Sequence, residues 1–166
     1  MTEPLLDGLG PVIDDRARVL ILGSFPSVRS LADGQYYANP RNAFWPIAAQ
    51  LFEFDCAAAY SDRLAALQAR GVALWDVLHS CRRVGSADAS IDPKTLVAND
   101  FDRLFAAYPR LDRVYFNGAA AARLFARLVQ HPATVTLHRL PSTSPAHAVP
   151  WAVKLVAWAT LIEAGS

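Results

Sequence analysis

The amino-acid sequence predicts an α/β protein, a three-layer α/β/α sandwich around a four-stranded parallel sheet. The first observation behind this prediction is the run Val19-Leu20-Ile21-Leu22, which is fully apolar and is stopped by Gly and Pro. Such a run is typical of a strand buried on both faces, as strands of parallel sheets are. The second observation is that further strand-like runs alternate with helical patterns, which favours right-handed crossovers between parallel strands.

The individual elements follow from periodicity and from the residues that punctuate it. Strands are predicted at 18–22, 72–78, 111–116 and 134–140, and helices at 43–52, 62–70, 100–108, 119–129 and 150–163. Ser61 and Asn99 are expected to cap the second and third helices. In the last helix, the apolar spacing predicts a core-facing stripe, formed by Trp151, Leu155, Trp158 and Ile162. Residues 1–17 are expected to form a lead-in, and residues 79–93 an irregular surface loop.

Composition restricts the classes of protein that this chain can belong to. The chain has 166 residues, of which 53% are apolar and 19% are charged, and its net charge is +1. These values predict one folded domain over residues 1–166, without the strong basic charge of many nucleic-acid-binding proteins. No apolar run approaches the roughly 20 residues of a membrane span. We therefore expect a soluble, cytoplasmic monomer that does not bind a membrane.

Known cofactor and metal motifs are missing from the sequence. The two cysteines, Cys56 and Cys81, match no metal-ligand spacing, and the four histidines are scattered. Neither GxGxxG, nor a P-loop lysine, nor a GxSxG elbow occurs. We expect no metal and no cofactor.

Three of the predicted strand ends carry polar loops, and the carboxyl ends of parallel strands meet at one edge of the sheet. The loops begin at Ser24, Asn117 and Ser142. Two of them, GSFPS and PSTSP, combine small hydroxyl residues with proline, a chemistry that suits phosphate oxygens. An ordinary turn with a helix cap would explain PSTSP equally well on its own. The repetition at two strand ends favours a binding site.

The loop after the first strand is rich in aromatic and amide side chains. Phe25 and Tyr37 offer faces on which a nucleic-acid base could stack. Asn39, Asn42 and Asn117 offer amides that could read a base edge. Turn formation before Pro40 and Gly118, and a helix cap at Asn42, are competing explanations. In the second loop, we expect Asp76 and Asp88 to fix the loop by hydrogen bonds to its backbone.

Taken together, GSFPS, QYYANPRNAFW, LWDVL with GSADASI, FNG and LPSTSPAH resemble motifs of the uracil-DNA glycosylase superfamily. Within it, the set is most similar to the hypoxanthine-DNA glycosylase (DNA-deoxyinosine glycosylase) branch. The resemblance covers nearly the whole chain. It implies that the protein flips a deaminated base, hypoxanthine in this branch, out of DNA and hydrolyses its bond to the sugar.

The resemblance also implies roles for individual residues. Many relatives carry the residue that directs the attacking water at the position of Phe25, and in the hypoxanthine branch Asn42 takes that role, with Asn39 as the other candidate. Tyr37 falls where relatives stack on the base, and Asn117 where they read its edge. His147 stands where this branch more often has Asn. The residues assigned to DNA contact are Ser24, Ser27, Arg41, Ser142, Thr143, Ser144 and His147.

Because an amide is a poor base, the implied mechanism is dissociative, and the product is an abasic site. No lysine lies near either loop motif in the sequence, which argues against a covalent intermediate and strand cleavage. Three alternatives remain open: a glycosylase acting mainly on uracil or xanthine, a non-catalytic module that binds damaged DNA, and a hydrolase of free nucleosides.

Overall fold

The computed structural model describes residues 4–163. Its strands are β1 (Leu6–Asp7), β2 (Val19–Gly23), β3 (Val72–Asp76), β4 (Leu78–Cys81), β5 (Val97–Ala98), β6 (Arg113–Asn117) and β7 (Thr136–Leu140). Four of them form a parallel sheet in the order β3-β2-β6-β7. The other three form a small antiparallel sheet in the order β1-β4-β5.

Helices flank the parallel sheet. They are α1 (Val28–Asp33), α2 (Phe44–Phe52), α3 (Tyr60–Ala69), α4 (Phe101–Ala107), α5 (Ala119–Leu128), α6 (Trp151–Trp158) and α7 (Thr160–Glu163). A 3-10 turn adds Asp88–Ser90. The predicted α/β fold around a four-stranded parallel sheet is confirmed.

The burial of the central strand β2 explains why its sequence is a continuous apolar run. All of its residues are buried, and it pairs with β3 on one side and β6 on the other. A strand covered on both faces and both edges has no polar face, so its side chains are uniformly apolar. Around it lies the main core, whose largest fully buried side chains are Phe44, Tyr115, Phe125 and Trp158.

The small sheet is an element that the sequence did not predict. Residues 79–93 were expected to be irregular, whereas β4 and the turn at Asp88–Ser90 occupy part of this segment. In β4 the exposed His79 alternates with buried neighbours for only a few residues, which is too short for a periodic signal. The sheet contributes Leu78 and Cys81 to a second apolar cluster, which also contains Phe25.

The predictions that Ser61 and Asn99 cap helices are both wrong, because another residue occupies the N-cap position of each helix. Helix α3 begins at Tyr60, so Ser61 lies within its first turn and makes no cap. Asp100, not Asn99, caps α4 by accepting the backbone N–H of Arg103. The Asn99 side chain instead donates to the backbone carbonyl of Asp76 at 2.8 Å, which joins the start of α4 to the end of β3.

The predicted final helix is interrupted at Ala159, where α6 ends and α7 begins. Trp158 is fully buried, but Trp151 and Ile162 are each 41% exposed. Only the middle of the predicted apolar stripe therefore packs into the core.

The two outer edges of the parallel sheet differ. Along β3, Val12 forms a bridge with Leu74, with reciprocal N–H to carbonyl distances of 2.9 and 2.9 Å. Along β7, four consecutive residues from Thr136 to Arg139 are exposed. The lead-in segment thus covers one edge of the sheet.

Candidate active site

The carboxyl ends of the strands bring the predicted loops together. Gly23 at the end of β2 is in register with Asp76 at the end of β3, and Asn117 at the end of β6 is in register with Leu140 of β7. The expected convergence of the Ser24, Asn117 and Ser142 segments is therefore confirmed. It adds Asp76 to the same edge.

Asn117 and Thr143 tie the second and third of these loops to each other. The backbone N–H of Thr143 donates to Asn117 Oδ1 at 2.9 Å, and Asn117 Nδ2 donates to Thr143 Oγ1 at 2.9 Å. Thr143 is only 1% exposed. Its hydroxyl therefore does not face a phosphate, contrary to the prediction, and one donor and one acceptor of the Asn117 amide are committed to holding the loop.

The rest of the PSTSP loop is stabilised by its own hydroxyl groups. Ser142 Oγ accepts the backbone N–H of Ser144 at 3.1 Å, and Ser144 Oγ accepts that of Ala146 at 3.2 Å. Gly118 has φ 101°, and a Cβ there would come within 3.0 Å of Ser142 Cβ, so this position requires glycine. Ser142 and Ser144 are partly accessible and His147 is exposed, and their role as DNA contacts stays a prediction.

Two side chains of α6 support this loop. Trp158 Nε1 donates to the carbonyl of Pro141 at 2.8 Å, and Lys154 Nζ donates to the carbonyl of Ser144 at 3.2 Å. Lys154 is 4% exposed, and burial lowers the pKa of its ammonium group. The inference that no lysine lies near the loop motifs holds along the sequence but is wrong in space.

In the GSFPS loop the side chains are used internally. Ser24 Oγ donates to the carboxylate of Asp88, and Ser27 caps α1 by accepting the backbone N–H of Ser30 at 3.1 Å. Phe25 is buried, and the guanidinium carbon of Arg83 lies 5.1 Å from the centre of its ring. Phe25 therefore does not offer the stacking face that was predicted, and the hydroxyl groups of Ser24 and Ser27 already have partners.

Tyr37 has an unusual backbone conformation, with φ 55°. Residues other than glycine adopt this left-handed region rarely, and such strain is concentrated at functional sites. Its ring lies 4.0 Å from that of Phe44, centre to centre, at an interplanar angle of 30°. The proposed stacking of Tyr37 on a base stays a prediction, and Phe44 supports the ring from the side of the core.

A cleft of about 350 Å³ opens beside Tyr37, and its lining includes Asn39 and Asn42. Asn42 Oδ1 accepts the backbone N–H of Phe44 at 2.9 Å, and Asn39 Oδ1 accepts that of Arg41 at 3.0 Å. These bonds hold both amides in place and leave each NH₂ group for a further partner. The Arg41 side chain is exposed near the rim.

Tyr37 connects this cleft to a buried polar cluster at the end of β2. Asp76 is 5% exposed, and its Oδ2 has no hydrogen-bond partner; the same is true of Tyr37 Oη and Arg83 Nη1. A Cβ on Gly23 would lie 2.5 Å from Asp76 Oδ1 and 3.8 Å from Tyr37 Oη, which places both groups over the end of β2.

The electrostatics of this cluster follow from burial. Burial raises the pKa of Asp76 to about 7; the charge of Arg83 opposes the rise and that of Asp88 adds to it. Burial also raises the pKa of Tyr37, the Asp76 carboxyl raises it further, and Asn117 opposes the shift. Burial therefore favours the neutral form of the Asp76 carboxyl group.

The predicted role of the two acids is wrong. Asp88 accepts a hydrogen bond from a side chain, that of Ser24, and Asp76 Oδ2 bonds to nothing. A signal was available in the sequence, because an acidic residue interrupts the apolar run of β3 at the position that pairs with Gly23.

Within residues 4–163, no group of three or more His, Cys, Asp or Glu side chains is arranged to hold a metal ion. No helix in this range is long and apolar enough to cross a membrane.

Comparison with known proteins places the chain in a family. A model described as the uracil DNA glycosylase superfamily matches residues 11–161, most of the chain. The chain belongs to the uracil-DNA glycosylase superfamily. The family that the motifs resemble is thereby confirmed.

Members of this superfamily resemble the chain in both sequence and structure. A protein of Methanosarcina barkeri named hypoxanthine DNA glycosylase is 38% identical over 112 residues, which are 67% of this chain and 70% of that protein. A protein of Methanosarcina acetivorans with the same name is 36% identical over 115 residues, 69% of this chain and 72% of that protein. The solution NMR structure of a proposed uracil DNA glycosylase from Methanosarcina acetivorans matches with TM-score 0.81 and 30% identity, covering 98% of this chain and 99% of that one.

Proposed function

We propose that this protein releases hypoxanthine from DNA by hydrolysing the bond between the base and its sugar. The observation that carries the proposal is that Tyr37 and Asn42 line one cleft and that both belong to the chain segment between β2 and α2. Membership of the uracil-DNA glycosylase superfamily makes the chain a DNA glycosylase, a hydrolase that acts on deaminated bases. The names of the two relatives support hypoxanthine as the base.

The mechanism must operate without a strong base near the attacking water. Asn42 is held by its bond to the Phe44 N–H, and its NH₂ group is left to bind a water molecule. An amide orients water but does not deprotonate it, so the C1′–N9 bond breaks first and its electron pair leaves on the purine. Water then adds to C1′, and the proton that it loses balances the charge of the departed base. The products are free hypoxanthine and an abasic site.

Tyr37 contributes by stacking. Its ring is held against Phe44, so a flipped purine can lie on the opposite face of a rigid aromatic surface. Base–aromatic stacking contributes about 1–3 kcal/mol per base and does not depend on base identity. Tyr37 therefore favours the flipped state of any base.

DNA contacts are assigned to the accessible part of the two loops. The candidates are Ser142, Ser144, His147 and Arg41, because each is at least partly exposed beside the cleft or the strand ends. A net charge of +1 implies that only a few phosphates are neutralised. We further propose that the protein works as a single-domain monomer in the cytoplasm.

The test is release of bases from defined oligonucleotides. Duplexes with one hypoxanthine, uracil or xanthine are incubated with the protein, treated with alkali and separated on a gel. We expect cleavage at hypoxanthine after alkali and intact strands without it. Faster release of uracil or xanthine would overturn the choice of base. Binding to lesion DNA without any base release would support a non-catalytic module, and release from free inosine would support a nucleoside hydrolase.

A further inference from the structure

Thr143 is the one residue of the PSTSP loop that is buried. Its backbone N–H donates to Asn117 Oδ1, and its hydroxyl accepts a hydrogen bond from Asn117 Nδ2. Its backbone carbonyl forms a third bond, in which it accepts the N–H of Ala43 at 3.0 Å. Thr143 therefore joins the end of β6 to the start of α2, two elements that are far apart in the chain.

The bond to Ala43 lies beside the residue that is proposed to bind the attacking water. Ala43 directly follows Asn42 and occupies the N-cap position of α2. The Asn42 backbone N–H donates to the Asn39 carbonyl at 2.9 Å, and Asn42 Oδ1 accepts the Phe44 N–H at 2.9 Å. The direction of the Asn42 NH₂ group thus depends on the backbone of residues 42–44, and the Thr143 carbonyl holds the middle of this stretch.

The loop is also held on both sides of Thr143. On the side of β7, the carbonyl of Pro141 accepts a bond from Trp158 Nε1 at 2.8 Å. On the other side, the carbonyl of Ser144 accepts a bond from Lys154 Nζ at 3.2 Å. The two donors are four residues apart on α6, so they lie on the same face of this helix. The Thr143 carbonyl is therefore presented to α2 from a rigid loop.

We propose that Thr143 is a positioning residue for base release, which sets the place of the Asn42 amide through its bond to Ala43. The inference rests on the proposed glycosylase function and deepens it. Asn42 contacts the attacking water, whereas Thr143 contacts neither water nor base and acts only through the backbone at Ala43. A misplacement of about 1 Å at a reacting group can lower a rate by about 100-fold, so a residue in this position can control the reaction without contacting it.

This connection has a use in the reaction. Ser142 and Ser144, which flank Thr143, are the proposed contacts to the phosphates of the DNA. The water must approach C1′ of a sugar that is fixed by its own phosphates. Because Thr143 joins the loop to the backbone beside Asn42, the phosphate contacts and the water ligand keep a constant separation. Such fixed placement is what makes attack on a bound sugar fast.

The test removes the hydroxyl group and separates rate from affinity. Thr143→Val keeps the shape of the side chain but leaves Asn117 Nδ2 without its partner, so the loop should shift. Single-turnover release of hypoxanthine at saturating protein should be about tenfold slower. The Kd for the same duplex, made resistant to hydrolysis by 2′-fluorine at the lesion, should stay unchanged because Thr143 is buried. Weaker binding with an unchanged rate would overturn the proposal, as would a Thr143→Ser variant that is as slow as Thr143→Val.

A double-mutant cycle separates positioning from a general loss of stability. Asn42→Ala has no amide left to position, so adding Thr143→Val to it should slow release by less than about twofold. An equal factor in both backgrounds would overturn the proposal. Thr160→Val is the matched control, because it removes an exposed hydroxyl that donates to the Ala157 carbonyl at 3.0 Å, and it should leave the rate unchanged. All rates are measured below the thermal melting transition of the least stable variant.

If the wild-type protein releases no base at all, the proposed function fails and this inference fails with it. If the wild-type protein is active and Thr143→Val acts equally with and without the Asn42 amide, only the inference fails. The two failures are therefore distinguishable.

Discussion

Replacement of Asp76 by Asn should change how the stability of the protein depends on pH. The native pKa of Asp76 is raised to about 7 by burial, whereas an aspartate in an unfolded chain has a pKa of about 3.9. Between these values the native state binds more protons than the unfolded state. The free energy of unfolding therefore decreases as pH rises through this range and is constant above it. The contribution of Asp76 is fully present below about pH 4 and is lost above pH 7.

The size of the effect follows from the difference between the two pKa values. A difference of about 3 units at about 1.36 kcal/mol per unit gives roughly 4 kcal/mol over the whole range. Between pH 5 and pH 8 the part that remains to be lost is about 3 kcal/mol. Because Asn does not titrate, the stability of Asp76→Asn relative to the wild type should increase by about this amount over the same interval.

The assay is urea unfolding of both proteins at pH 5, 6, 7 and 8, followed by fluorescence or circular dichroism. Asp102→Asn is a suitable control, since it removes an exposed carboxylate of the same type. A stability difference between wild type and Asp76→Asn that stays constant from pH 5 to pH 8 would refute the reasoning. It would mean that the carboxyl group is ionised in the native state throughout, stabilised by groups such as Arg83.

Three further predictions concern the cleft and the loops. Asn42→Ala should lower base release about 100-fold or more, because it removes the side chain proposed to bind the water. It should lower the free energy of unfolding by only about 1 kcal/mol, for the lost bond to the Phe44 N–H. Near-wild-type turnover would assign the water to Asn39 instead. Asn117→Ala should destabilise the protein by about 2 kcal/mol through its two lost bonds to Thr143, in a thermal or urea melt, and should slow hypoxanthine and uracil release by the same factor. A changed ratio of these rates would restore Asn117 as the reader of the base edge. Borohydride should trap no covalent complex with lesion DNA, because the Lys154 ammonium group is buried and donates to the carbonyl of Ser144. A trapped complex that is formed by the wild type and not by Lys154→Met would contradict this prediction.

The parts of the fold that were predictable are those where one physical requirement decides the residue type. β2 is buried on both faces, so only apolar residues fit, and the sequence shows this directly. β4 contains few residues and α1 spans fewer than two turns, so neither repeats a pattern often enough to be recognised. The caps failed for a different reason. Ser61 and Asn99 are both good capping residues, but the helices are preceded by Ala59 and Asp100 instead, and the exact start of a helix depends on how it packs.

In the candidate site, location was predictable but the use of each side chain was not. Parallel topology alone brings Gly23, Asn117 and Ser142 to one edge. Which polar group bonds to which depends on distances between loops that are far apart in the chain. Ser24 and Asp88 are an example, because 64 residues separate the donor from its acceptor. The sequence motifs therefore identified the right segments. Several hydroxyl groups that were predicted to contact DNA instead form hydrogen bonds within the protein.

The pairing of Val12 with Leu74 affects how readily copies of this protein aggregate through the edges of their sheets. An uncovered outer strand presents free N–H and carbonyl groups, which another chain can bind to extend the sheet. β3 is apolar from Val72 to Trp75, so without a covering segment its edge would be prone to aggregation. The segment around Val12 blocks it, whereas β7 is instead protected by polar and charged side chains such as His138 and Arg139. Removal of the segment before Ala17 should therefore lower solubility.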